Sequence, residues 1–525
     1  MHKRPTMIIT KRRRASGPRS RTGCLTCRIR HVKCDEGKPE CYQCKRTGRK
    51  CDGYGELRPQ NDHQPVSSKP IMTVDHRMVL RPGSKKERHY LYFFHSQTAR
   101  ALSGVFESDL WMRQLPQLSE CEPVIRHATA AVSAAHEREL ALQRNPSLNM
   151  ERRTANDRFI IHQYNEAIRH LRTYLVSHNP RHDLLLITCF LFVCLEMLNG
   201  NHKQALDHLE AGLKIVQKVT ERQQVLMITS NPIYQELVNL SLRLNIQLAM
   251  NGRPMIAFNV QPTYPQARRS DGSPSWSDIK QAQQALDRLM NRALLFIRSA
   301  GYERTDRSHL KPQQLQLSSE FQTWRIALES YAERAANSAK QNRRGILILR
   351  TLYLTSWIWV ETCLARQETV FDDYNSSFAE LVHYARQLID LEDAIDRKLI
   401  NCAPDLFTLE LRVVTGLYYT ATRCRDPIIR REAIRLMHKC TKQEGLWDKR
   451  IIVKIVQLVM EMEEENMSSL DVKDRVPADS DRIYETVTSC TKAEDLRSTR
   501  QLILLSKPNG PDGGWLTRIR FVEWS

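Results

Sequence analysis

Residues 24–51 read CLTCRIRHVKCDEGKPECYQCKRTGRKC, and the spacing of their cysteines decides how this part of the chain folds. Six of the chain's 14 cysteines fall in this window: Cys24, Cys27, Cys34, Cys41, Cys44 and Cys51. They form two C-x2-C-x6-C triplets, the second repeating the first with a constant shift of 17 residues. Zinc in a structural site takes four ligands in a tetrahedron, and thiolates suit it well. A C-x2-C pair brings two sulfurs to one ion from a single turn of chain. Six thiolates fill two tetrahedra only if two of the sulfurs bridge. The 17-residue symmetry limits the bridging pair to Cys24/Cys41, Cys27/Cys44 or Cys34/Cys51, and the spacing does not choose among them.

Other readings of the window fit less well. A disulfide knot requires an oxidising compartment, and the opening MHKRPTMIIT has only a short apolar patch with no cleavage site after it. No secretory signal is therefore expected, and a mitochondrial transit peptide would need an amphipathic apolar stripe that is missing. A redox C-x2-C follows a strand in a larger α/β unit, and no strand pattern precedes Cys24. A single-zinc ribbon leaves the regularity of six cysteines unexplained. The longest apolar run, LLLITCFLFVCL at 184–195, has 12 residues and is ended by Glu196. Spanning a bilayer takes about 18 or more, so the run is expected to be a buried helix and no membrane partner is expected.

The charge distribution points at a polyanion. The formal net charge is +20, and residues 1–60 hold 17 Lys and Arg against 5 Asp and Glu, the first acid being Asp35. A segment as short as 24–51 buries little core, so metal binding must supply its folding free energy. Two helical turns after Cys27 and Cys44 would display Arg28, Arg30, His31 and Lys33, then Lys45, Arg46, Arg49 and Lys50. Six thiolates around two Zn²⁺ carry a formal charge of −2, and there are more bases here than that requires. The excess favours a nucleic-acid partner. Lys11, Arg12, Arg13 and Arg14, with Arg19 and Arg21, would extend a phosphate footprint or serve as a nuclear localisation signal; a plain basic tail is the simpler alternative.

With these residues in view, the window resembles the fungal Zn2Cys6 binuclear zinc cluster, the DNA-binding module of a large family of fungal transcription factors. The resemblance rests on the six-cysteine spacing, Arg28 after the second cysteine, the Lys33-Cys34-Asp35 step, Pro39 in the central loop and the following Asp52-Gly53-Tyr54. It implies two zinc ions per chain with Cys24 and Cys41 shared, a nuclear regulator of genes read by RNA polymerase II, and double-stranded DNA as partner. Modules of this class set a helix in the major groove. The first half is then implied to read a CGG-like triplet, whose guanines present N7 and O6 acceptors to Arg or Lys. The second half, interrupted by Gly48, suits phosphate contacts. His31 departs from the pattern, since members usually carry Lys or Arg there. Four residues after Cys27 it would lie toward the metal side of a continuous helix, but six thiolates already complete both tetrahedra. His31 is therefore expected to face outward as a shorter, usually neutral donor.

The rest of the chain reads as mainly α, a linker followed by a large helical domain. Residues 52–85 carry Pro59, Pro65, Pro70 and Pro82 and read as a flexible linker. They show no sustained heptad, so monomer and homodimer both stay open. Residues 86–495 show helical periodicity, with Val124, Ala128, Ala131 and Ala135 on one stripe after Pro123. A helix at 184–199, a Gly-Asn turn and a second stripe of Leu206, Leu209, Leu213 and Val216 predict an antiparallel helical hairpin. Further helices are predicted near 231–250, 277–300, 318–368, 375–395, 406–422, 426–442 and 450–466, and a C-terminal β-hairpin over 496–525. LSGVFESDLW (102–111), EPVIRHATAAVSAAHE (122–137) and DPIIRREAIRLMHKCTKQEGLWD (426–448) resemble the fungal-specific regulatory domain of these factors. That resemblance implies regulation through a small effector or a partner protein, with the transcription machinery downstream.

The remaining cysteines (121, 189, 194, 363, 402, 424, 440 and 490) read as buried thiols. EMEEENM at 461–467 would be a solvated helix end or part of an acidic activating surface. HEREL at 136–140 lacks the second His of a metalloprotease helix, and there is no phosphate-binding Gly-Lys loop or G-x-S-x-G elbow. The chain is therefore not expected to be an enzyme. A zinc-dependent protein-interaction or RNA-binding module, or an enzyme housed in the helical domain, are the alternatives to a DNA-binding regulator.

Overall fold

A computed structural model describes residues 22–30, 32–54, 83–145, 150–176, 181–221, 231–257, 275–302, 307–335, 340–396, 407–440, 443–489 and 499–523. The chain divides into two units, Met1–Met78 and Val79–Ser525. In the first, two five-residue helices, α1 (Leu25–Ile29) and α2 (Tyr42–Arg46), enclose a core made of cysteines instead of aliphatic side chains.

The second unit is helical. It contains α3 (Lys85–Phe93), α4 (Ala99–Ser103), α5 (Leu115–Cys121), α6 (Pro123–Arg144), α7 (Met150–Leu175), α8 (His182–Leu198), α9 (His202–Glu221) and α10 (Pro232–Met250). It continues with α11 (Ile279–Tyr302), α12 (Lys311–Arg334), α13 (Lys340–Thr362), α14 (Asn375–Asp396), α15 (Val414–Arg423), α16 (Pro427–Met437) and α17 (Lys449–Glu463). The predicted stripe of α6 is buried, with Ala128, Ala131 and Ala135 fully enclosed. Small residues there let α7 and α8 approach closely. The apolar run at 184–195 lies inside α8 and is buried almost throughout, each Leu or Phe contributing about 1.5–3 kcal/mol. No helix among the described residues is long and apolar enough to cross a membrane.

Two apolar cores share α10. Its Leu237, Leu244 and Leu248 belong to the core built from α3–α9, whereas Ile246 and Ala249 belong to the core of α11–α17. A helix apolar on most sides is what such a position requires. Buried polar side chains fix its register: Asn245 donates to the Ile256 carbonyl (2.8 Å), and Gln247 donates to the Leu409 carbonyl (2.8 Å).

Five expectations change. The predicted helix at 318–368 is two helices, α12 and α13, and residues 336–339 between them lie outside the described residues. The predicted helix at 406–422 begins only at Val414, because residues 407–408 form a strand, β1 (Phe407–Thr408), parallel to β2 (Gln443–Glu444). The latter turns through Gly445 into β3 (Trp447–Asp448), so the helix predicted over 426–442 ends earlier, at Met437. Gly445 has φ +55°, and a Cβ there would fall 2.0 Å from the Gln247 Oε1. The C-terminal hairpin is a three-stranded antiparallel sheet, order β4-β5-β6, of β4 (Ile483–Ser489), β5 (Thr499–Ser506) and β6 (Leu516–Glu523). Leu502, Leu504 and Val522 on one face pack on Ile451, Ile455 and Val459 of α17. Of the cysteines read as buried, Cys194, Cys424 and Cys440 are buried and Cys189 and Cys363 partly so, but Cys121 at the end of α5 is exposed. Cys402 and Cys490 lie outside the described residues.

Candidate metal centre and nucleic-acid interface

The first unit is built on its 17-residue repeat. Cys24 and Cys41 are the N-caps of α1 and α2, and each sulfur accepts the amide N–H three residues on, from Cys27 and Cys44, at 3.4 Å. After each helix the chain turns back in the same way: Val32 N–H donates to the Cys27 carbonyl and Arg49 N–H to the Cys44 carbonyl, both at 3.1 Å. The repeat continues past the third cysteine of each triplet. Asp35 accepts the N–H groups of Tyr42 (2.9 Å) and Gln43 (3.1 Å), capping α2, and these bonds hold its carboxyl below the usual range. Its repeat mate Asp52 accepts from the Thr26 hydroxyl of α1 (2.8 Å). Glu36 and Gly53, again 17 apart, both have positive φ, 59° and 73°. Tyr54 closes the unit by donating to the Gly37 carbonyl (2.8 Å), with its hydroxyl 3.8 Å from the Cys34 sulfur. Thr26, Asp35, Asp52 and Tyr54 were not among the sequence-predicted site residues. Applying the 17-residue shift beyond the cysteines would have found the two aspartates.

The six sulfurs converge in two overlapping groups. Those of Cys24, Cys27, Cys34 and Cys41 lie within 4.8 Å of one another, as do those of Cys24, Cys41, Cys44 and Cys51. Cys24 and Cys41 belong to both. A Zn–S bond of about 2.3 Å sets the edge of a tetrahedron at about 3.8 Å. The separations are 3.6 Å for Cys24–Cys41, 3.6 Å for Cys27–Cys41 and 3.8 Å for Cys24–Cys44. An all-thiolate donor set at this spacing fits zinc. Burial pushes the thiols of Cys24, Cys27 and Cys41 up, the last to about 12. Burial also raises Cys34, but the N–H groups of Cys24 and Glu36 and the Tyr54 hydroxyl reverse this and bring it to about 7. Cys51 is lowered by the Cys41 and Gly53 amides. Buried thiols of raised pKa bind metal with release of protons.

Around this core Arg28, Lys33, Lys45, Arg46, Arg49 and Lys50 are exposed. Arg30 is partly buried, and its Nη1 donates to the Thr47 hydroxyl (3.1 Å), tying together two residues related by the repeat. His31 and the Lys11–Arg14 run lie outside the described residues.

Residues 89–402, more than half of the chain, match the model of the fungal specific transcription factor domain. The chain belongs to this family. Residues 22–61 of this fungal transcription factor also match the fungal Zn(2)-Cys(6) binuclear cluster domain, which binds two zinc ions. Among its relatives is the aspercryptin biosynthesis cluster-specific transcription regulator of Emericella nidulans, 23% identical over 86% of this chain and 88% of the relative. The transcription regulator lscL of Purpureocillium lilacinum is 28% identical over 38% of this chain and 49% of its own length. The transcriptional regulatory protein moc3 of Schizosaccharomyces pombe is 32% identical over 27% of this chain and 26% of its own length. No solved structure matches the chain. The protein is a zinc-dependent, DNA-binding transcription regulator with a helical regulatory domain.

Proposed function

We propose that the six cysteines hold two zinc ions, with Cys24 and Cys41 as the shared ligands, and that the resulting module reads a CGG-like triplet in the major groove. The observation that carries this reading is the pair of cysteine groups that overlap at Cys24 and Cys41. Bound zinc supplies folding free energy and neutralises thiolate charge; the chain's own residues do the recognition. Arg28, Lys33 and His31 of the first half donate to guanine N7 and O6. Lys45, Arg46, Arg49 and Lys50 of the second half contact phosphates, which fix register without reading sequence. Arg30, bonded to Thr47, stiffens the join between the halves while its remaining N–H groups face DNA.

Residues 1–23 form a basic arm whose Lys11–Arg14 directs the protein to the nucleus, 24–51 the zinc cluster and 52–85 a linker. Residues 86–495 form the regulatory domain that engages the transcription machinery, and 496–525 a C-terminal sheet segment. The protein acts by binding and carries out no reaction of its own. Fluorescence anisotropy of the zinc-loaded full chain tests this on a duplex with CGG triplets, a scrambled duplex and the separated strands over a salt series. Each changed triplet base should weaken binding by about 1–3 kcal/mol. Equal affinity for all three nucleic acids refutes sequence-specific reading.

A further inference from the structure

We infer that the helical unit contains a binding site for an apolar, aromatic small molecule carrying a single acidic group. The site is a cavity of about 660 Å³, within the range of about 300–1,000 Å³ typical of small-molecule pockets. It opens where α10 and α11 end, against α15 and the edge of β4 that has no neighbouring strand among the described residues. Two glycines make room for it. A Cβ added at Gly252, just beyond α10, or at Gly301, near the end of α11, would meet no atom within 4 Å.

The walls specify an aromatic guest. Trp359, Tyr418 and Trp447 line the cavity with Met250 and Ile297. The Tyr418 and Trp447 rings stand 5.1 Å apart at 57°, offering a platform for a flat ligand. The Trp447 Nε1 is buried and has no hydrogen-bond partner among the described residues.

The charges specify a monoanion. Arg298 lines the cavity, and among the described residues its guanidinium donates to two main-chain carbonyls, Arg253 at 2.8 Å and Ala249 at 2.6 Å. Among the described residues no carboxylate forms an ion pair with it. The other cavity arginine, Arg423, is already paired with Glu368 at 2.6 Å. Glu485 lines the strand side without a described cation partner, which disfavours a second negative charge on the guest. A carboxylate would therefore sit at Arg298, with the ring system against Trp359, Tyr418 and Trp447. The site lies wholly in the helical unit, and the inference does not depend on how the zinc module reads DNA.

The test uses the zinc-loaded full chain and three matched probes, pyrenebutyrate, pyrenebutanol and pyrenebutylamine, read by energy transfer from tryptophan to pyrene. Pyrenebutyrate should bind saturably and at least about tenfold more tightly than the alcohol, with the amine weakest. Gly301→Phe fills the cavity and should abolish binding of all three, with helical circular dichroism and zinc content unchanged. Arg298→Gln should equalise the acid and the alcohol. Because Arg298 also caps α10, Gly301→Phe carries the test if the Arg298 variant does not fold. Equal binding of the three probes, binding that survives Gly301→Phe, or no saturable binding overturns the inference.

Discussion

Replacing cysteines one at a time separates a shared sulfur from a terminal one. Cys24 and Cys41 belong to both sulfur groups, whereas Cys27 and Cys34 belong to one and Cys44 and Cys51 to the other. Cys34→Ala removes one of four donors from a single group and leaves Cys24, Cys41, Cys44 and Cys51 complete. Cys24→Ala leaves both groups with three. A structural zinc in a small domain is worth about 10–16 kcal/mol of apparent binding free energy at pH 7. Losing one site therefore weakens the module, and losing both leaves a segment that cannot fold on its cysteine core. Native mass spectrometry of the full chain at controlled free zinc reads the stoichiometry directly. The expected values are two zinc ions for the unaltered chain, one for the Cys27, Cys34, Cys44 and Cys51 variants, and none for the Cys24 and Cys41 variants. Each repeat-related pair should behave alike, because its members occupy equivalent places. If Cys27→Ala or Cys34→Ala lost both ions while Cys24→Ala kept one, a different pair would bridge and the geometric assignment would be refuted.

Further outcomes follow from the same structure. Because burial raises the Cys24, Cys27 and Cys41 thiols, zinc binding near neutral pH must displace their protons, so affinity should rise with pH and fall on acidification; competition with a chromogenic chelator from pH 6 to 8 measures this, and a flat profile contradicts it. Arg49→Ala and Lys50→Ala should weaken CGG and scrambled duplexes alike and lower the salt slope by about 0.9 each, whereas Arg28→Ala should cost about 1–3 kcal/mol on the CGG duplex alone. His31→Lys should tighten or re-specify DNA binding with zinc content still two; loss of zinc would make His31 a ligand. In the helical unit Glu463→Gln should cost about 3–5 kcal/mol, because Glu463 pairs with Arg425 at 2.9 Å and Arg430 at 2.7 Å and all three side chains are buried. Thermal and urea unfolding report that loss, and a change below about 1 kcal/mol would show the charges relaxed by water.

Much of the zinc module was legible because its order is local and periodic. The repeat of 17 can be read from the letters, and it limited the shared pair to three choices. The family resemblance implies Cys24 and Cys41, and the structure agrees in geometry: Cys24 caps α1, Cys41 caps α2, and both sulfurs belong to both groups. The role of Tyr54 was hidden. Its hydroxyl acts across 17 residues on the Gly37 carbonyl and across 20 on the Cys34 sulfur, and no local pattern announces such contacts.

In the helical unit, apolar stripes predicted the helices that pack by burial, as in α6, α8 and α9. The failures came where side chains far apart in sequence override local preference. The run LFTLELRVVTGLYYT has ample helix formers from Leu406 onward, yet α15 starts at Val414. Glu444 decides this. Its carboxylate accepts the N–H groups of Arg412, Val413 and Val414 at 3.1, 3.1 and 2.9 Å, ending the extended segment and opening the helix from outside. Glu444 is itself fixed because Gly445 lets the main chain close on Gln247 of α10. The Thr408 carbonyl then accepts the Gly445 N–H, drawing 407–408 into a strand. One glycine, one buried carboxylate and one buried amide thus set an element boundary that hydrophobic periodicity places eight residues too early. The free energy of a capped, buried helix start exceeds the propensity of a few residues, typically a few tenths of a kcal/mol each.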